Sequence, residues 1–165
     1  MRRSRLLSLS ALLSLAAPAF AGIADSPLPE LLPGATTYHL YSVPGVIGGF
    51  TGLATFFSCT STDTVPMQVG VEIFPGTGGA PTNDAVTTSL SIPSGATRIF
   101  GTSTAVGISV NSNVTGTGSF SGSARILATS KKLVCTAFIA DRGNDPPISM
   151  AQLTIIAKLK QKAAN

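Results

Sequence analysis

Tryptophan is absent from the 165 residues, and there is one histidine, His39, and two cysteines, Cys59 and Cys135. Each shortage excludes something. A zinc site needs three or four His, Cys or carboxylate ligands, and a single histidine is a poor start. Only 11% of residues are charged, and runs of Glu, Lys, Ala and Leu at helical spacing are missing. A helical bundle is therefore not expected. Low charge together with a mean hydropathy of +0.39 also argues against disorder, because disordered chains lack apolar residues. What is plentiful is Gly (17), Pro (11), Ser and Thr, a composition of strands and turns.

The chain opens "MRRSRLLSLSALLSLAAPAFAG". Arg2, Arg3 and Arg5 form a basic start, Leu6 to Ala17 an apolar stretch, and Ala19-Phe20-Ala21 a small-x-small cleavage site. This is the three-part plan of a secretory signal, with the mature chain expected to begin at Gly22. The apolar stretch is shorter than the roughly 20 residues a membrane span requires. Arg2-Arg3 alone is weak support for a twin-arginine route. No second apolar run long enough to span follows. A secreted or periplasmic protein is expected, with no membrane span after cleavage.

Removing residues 1–21 changes the charge. Three of the 11 Lys and Arg lie in that leader, so eight remain against seven acidic residues. The basic pI of 9.4 thus belongs largely to the leader. A nucleic-acid surface needs a basic patch or stripe. The one remaining cluster, Lys158, Lys160 and Lys162, reads as a solvated strand end and tail. No nucleic-acid partner is expected.

Two cysteines in an oxidising compartment read as a disulfide. The alternative is a reactive Cys135 tuned by Lys131 and Lys132. In a strand, Lys132 lies three positions away, on the opposite face, and Lys131 lies roughly 13 Å distant. A solvated charge at that range is largely screened. Leu133, Ala137 and Ile139 share the face of Cys135, and Leu53, Thr55 and Phe57 that of Cys59. Both rows are mostly apolar, as for a bridge across a core. Closing so long a loop stabilises by about 4–5 kcal/mol in the chain-entropy picture.

Residues 22–34, with three prolines, read as an extended N-terminal arm. Residues 35–160 read as one domain and 161–165 as a basic tail. Strands are expected over 36–43, 50–60, 67–74, 86–92, 97–102, 105–111, 124–129, around Cys135, and over 150–160. "MQVGVEIF" alternates cleanly, with Val69, Val71 and Ile73 inward and Glu72 outward. Residues 75–84, 112–123 and 141–147 read as loops, and Pro146-Pro147 bars a central strand. The last segment suits a helix less than a strand, because Thr154-Ile155-Ile156 and the period of two favour the latter. About nine short strands separated by turns point to an all-β, antiparallel β-sandwich.

A cysteine in the second strand bridged to one in a penultimate strand resembles immunoglobulin-like sandwiches, at the level of architecture. Antibody domains carry a Trp on the third strand, absent here, and a Tyr two residues before the second cysteine, where this chain has Leu133. The stretches "SARILATSKKLVCTAFIAD", "SMAQLTIIAK" and "VGVEIF" with "GGAPTND" also resemble a group of small secreted bacterial proteins. That resemblance spans most of the mature chain. It implies a bacterial source and one compact secreted domain, and it supplies no catalytic residues.

Chemistry is sparse. His39 reads as a surface strand residue sharing a face with Thr37 and Tyr41, and no nucleophile-elbow motif accompanies it. Asp63 and Asp84 read as turn residues. Asp141, Asn144 and Asp145 could form a weak calcium loop, but an Asx-rich turn fits better. "GTGG" at 76–79 lacks the Lys-Ser/Thr of a phosphate loop, and Asn113-Val114-Thr115 is a sequon without a eukaryotic context. No catalytic residue, metal or cofactor is expected. The leading expectation is a non-catalytic binding or envelope-associated domain whose partner is an extracellular or envelope component. Its candidate loop residues are Asp141, Arg142, Asn144 and Asp145. A self-assembling subunit, using the arm or edge strands to form a homo-oligomer, is the alternative. An extracellular enzyme ranks third.

Overall fold

The computed structural model describes residues 22–50, 52–114 and 119–158. The expected leader and basic tail lie outside the described residues. The elements are β1 (Tyr38–Gly48), β2 (Leu53–Ser61), β3 (Met67–Pro75), α1 (Ala85–Thr88), β4 (Leu90–Ile92) and β5 (Thr97–Gly101). They continue with β6 (Ser112–Asn113), β7 (Phe120–Ala128), β8 (Leu133–Asp141), β9 (Met150–Leu153) and β10 (Ile156–Ala157). Two five-stranded sheets form, in the orders β10-β1-β7-β3-β4 and β6-β5-β2-β8-β9. Among the described residues, only the short β5–β6 contact is parallel. The fold is an all-β sandwich.

Side-chain alternation builds the core between the sheets. Val69, Val71 and Ile73 of β3 meet Ala124, Ile126 and Ala128 of β7 on the inner face, with Val43, Phe57 and Phe100 fully buried among them. Both sheets also bury part of their outer faces. Phe56 and Phe57 are adjacent and both have no exposure, which an alternating, one-sided strand would forbid. Residues 105–110 cover the outer face of the second sheet, where Ala105, Ile108 and Val110 pack on Ala54, Phe56 and Ala140. Leu31 from the N-terminal segment and Ala85 from α1 cover Leu127 on the outer face of the first. A Cβ on Gly70 would come within 2.8 Å of Leu31 and 3.0 Å of the Ala85 carbonyl, so the glycine makes room for this cover.

Several expected boundaries move, for physical reasons. The 105–111 strand is a loop, because its apolar residues serve as a lid and not as a ladder. The 86–92 strand is interrupted. Asp84 caps α1 by accepting hydrogen bonds from the backbone of Val86 and Thr87, and β4 starts only at Leu90. The 112–123 loop is shorter, since β7 begins at Phe120. The last strand divides, with β9 in the second sheet and β10 in the first. In β1 a register irregularity between His39 and Tyr41 pairs His39 with Leu127 and Tyr41 with Ile126. Those two residues therefore fall on opposite faces, not on the shared face that simple alternation implies.

The disulfide forms between Cys59 and Cys135, but not across the core. The two residues are directly opposed on β2 and β8, neighbouring strands of one sheet. Their Cα atoms are 4.1 Å apart, which suits the closer, non-hydrogen-bonded pairs of an antiparallel ladder. Antibody domains instead bridge their two sheets. Here polar contacts tie the sheets. The Tyr41 hydroxyl donates to the Leu133 carbonyl at 2.5 Å. Buried Thr55 and Thr102 bond each other's backbone, and both reach Ile47 of β1.

The joint substitution Cys59→Ala with Cys135→Ala is expected to cost about 2–5 kcal/mol. A urea midpoint shift at unchanged far-ultraviolet circular dichroism would show it. An unshifted midpoint would mean that the ladder alone fixes this pairing.

Candidate functional site

The four loop residues singled out in the sequence occupy one end of the sandwich. Asp141, the last residue of β8, is buried. Its Oδ1 accepts from the Asn144 backbone at 3.1 Å and the Asn144 side chain at 2.8 Å. Its Oδ2 accepts from the backbone of Ile148 at 2.6 Å and of Ser149 at 3.0 Å. The Asn144 side chain foremost, then the backbone N–H groups of Ser149 and Ile148, hold this carboxyl below the ordinary aspartate range. All four donors come from its own loop, so Asp141 shapes the 142–149 turn and offers no oxygen outward. Among the described residues no group of three or more His, Cys, Asp or Glu could hold a metal ion.

Arg142 joins three loops. Its backbone N–H donates to the Gly52 carbonyl and its own carbonyl accepts from Val106. Its guanidinium donates to the Ser103 hydroxyl at 2.5 Å. Gly107 completes the contact, because a Cβ there would lie 2.8 Å from the Asn144 carbonyl. Asn144 and Asp145 are exposed, and the Asp145–Pro146 peptide is cis. The structure thus brings the four residues together, two of them as internal scaffolding.

Beside exposed Asn144 and Asp145, this end shows large apolar side chains to solvent. Val106 and Ile148 are 70% and 80% exposed, and Met150 63%, with Phe50 and Leu53 also open. Leu53 separates two shallow concavities, one lined with Ile47 and Phe50 and the other with Ile139, Met150 and Ala151. Sequence reading looked for charged and polar loop residues and passed over these. The available signal was a large apolar residue beside each turn.

A second cluster lies on the outer face of the first sheet. Arg125 of β7 is 1% exposed, opposite Glu72 of β3. Its Nε donates to Glu72 Oε2 at 2.6 Å, and its Nη2 contacts the same oxygen. The other donors reach back to the N-terminal segment: the carbonyls of Ile23, Ser26 and Pro27 accept at 3.0–3.3 Å. The Phe74 ring lies 5.3 Å beneath the guanidinium. Burial raises the Glu72 carboxyl, opposed by its contact with Arg125. Glu72 is outward as expected, yet buried under this cover.

His39 adjoins that cluster. Its Nε2 and the Ser42 hydroxyl are 3.0 Å apart, and its Nδ1 is buried without a hydrogen-bond partner. A catalytic Ser–His pair needs a carboxylate on that second nitrogen, and the His39 Nδ1 has none. Burial foremost, then the charges of Lys158 and Arg125, lower the His39 pKa to about 4. Such an imidazole is a weak base.

Arg125→Met is expected to destabilise by about 3–5 kcal/mol, the cost of leaving a buried partner charge uncompensated. It should also release residues 22–27, seen as faster proteolysis of the N-terminal segment. Acidification has a definite sign. His39 is neutral when folded and protonates near pH 6.5 when unfolded, so stability falls as pH drops from 6.5 toward about 4. His39→Gln should remove that slope. Below it the carboxylates held down in the fold add a further loss: Asp63, lowered to about 2 chiefly by the Ser130 hydroxyl, together with Asp84 and Asp141. Urea titrations at stepped pH would separate the two.

No protein-family model, curated protein or solved structure matches the chain.

Proposed function

We propose that this chain is a non-catalytic binding domain that works outside the cytoplasm, and that it binds through the apolar end of its sandwich. The observation carrying the reading is the combination at that end. Asp141 fixes its own turn and Arg142 ties that turn to the neighbouring loops, while Phe50, Leu53, Val106, Ile148 and Met150 stand exposed on that fixed base. Clustered exposed apolar residues mark contact surfaces, and loops on a rigid scaffold are where recognition sits. The disulfide fits an oxidising compartment, and the leader-like start of the sequence favours export to a periplasmic or extracellular site in a bacterium. The partner's matching face is apolar, on an extracellular or envelope component.

The alternative of an exchanged N-terminal arm has less support, since Arg125 holds that segment on its own sheet.

The test is a binding panel of envelope polymers, glycans and lipid vesicles, run with the exported protein and with a Val106→Ser, Ile148→Ser variant. A ligand should bind the parent and lose at least about tenfold in affinity to the variant at an unchanged melting temperature. Because the surface is uncharged apart from its rim, that affinity should vary little with salt. Failure of every class of ligand to bind would overturn the reading.

A further inference from the structure

Four strands end the two sheets, and three of them are blocked. β10 has two residues and runs into Lys158, β6 has two residues, and β4 has three and stops at Pro93. Short edges, charges and proline are the usual protections against pairing with another chain. β9, the longest of the four at four residues, has neither a charge nor a proline. Met150, Ala151, Gln152 and Leu153 carry no charge, and the register against β8 is regular. From Pro146 to Ala157 there is no charged residue at all.

The hydrogen-bond phase of this edge is fixed. The Asp141 N–H donates to the Ser149 carbonyl at 3.1 Å. Antiparallel pairs alternate every second residue, so Ala151 and Leu153 also bond toward β8. Met150 and Gln152 then direct their N–H and C=O groups to the open side. We propose that this edge is a self-pairing site, at which a second copy of the chain adds its own β9 antiparallel, across a twofold axis through Ala151.

Three features fit that partner. A twofold axis perpendicular to the sheet keeps outer faces together, so paired residues must have the same parity. Pairing Met150 with Gln152 of the second copy, and Ala151 with itself, satisfies this condition. The same register puts the outward donors and acceptors of Met150 and Gln152 opposite one another. Ala151 then sits at the close, non-hydrogen-bonded position, where a small side chain permits approach. The second sheets would join into one of ten strands, partly covering the concavity beside Met150 and Ala151.

The proposal does not rest on the binding function above, and the tests are separable: one reads mass, the other ligand affinity. Light scattering on the exported protein, over a concentration series to about 100 µM, should reach twice the chain mass. Gln152→Pro removes an N–H that faces the open edge and leaves the β8 ladder intact. It should return the mass to that of one chain with little change in melting temperature. If that variant fails to fold, amide exchange on the unmodified protein decides. The Met150 and Gln152 amides should be protected at high concentration and lose protection on dilution. A single-chain mass throughout, protection independent of concentration, or a folded Gln152→Pro variant that remains a dimer would overturn the proposal.

Discussion

A buried guanidinium sets the terms for one half of this molecule. Taking Arg125 out of water is expensive unless its donors are all received. One carboxylate, Glu72, receives part of them. The rest go to three carbonyls about a hundred residues earlier in the chain. The proline-rich start, which has little regular hydrogen bonding of its own, becomes a fixed cover because its carbonyls answer that need. Leu31 then closes over Gly70 and Leu127. The lowered basicity of His39, on the same outer face, follows from its own burial and from the charges of Lys158 and Arg125.

The other sheet solves the same covering problem without charge. Its outer face is apolar at Phe56 and Phe138, whose rings stack 5.5 Å apart, and the 105–110 loop closes over it with aliphatic side chains. That loop is held from beneath by Arg142 and by the Asp141 turn. A lid that spends its polar groups on neighbouring loops leaves apolar side chains for solvent. The exposed end is thus a by-product of how the loops are tied, and it is the surface on which the functional reading rests.

Fold class was legible in the sequence because the inner faces alternate faithfully, as in Val69, Val71 and Ile73. The disulfide pairing followed from there being two cysteines. Its location did not, because alternation reports which face a residue occupies and not which strand stands beside it. The 105–111 segment misled because a lid and a strand can share an apolar composition. His39 was misplaced by a bulge, which shifts the face of every residue beyond it. Asp141 and Arg142 were recognised as loop residues, but their inward commitments depend on backbone groups that sequence does not display. Arg125 left one trace, a charge inside the apolar run of "ARILA". Its partners could not be named without the strand order.

Strand order also carries a consequence for how such a chain becomes folded. β1 is the first strand among the described residues, yet its neighbours there are β7 and β10. It has nothing to pair with until residues 120–128 are available. The N-terminal segment waits for the same strand, since Arg125 is its anchor. A chain delivered from its N-terminus therefore keeps its first quarter unpaired while most of the remainder is still arriving. Such non-local closure slows folding and prolongs the exposure of apolar segments.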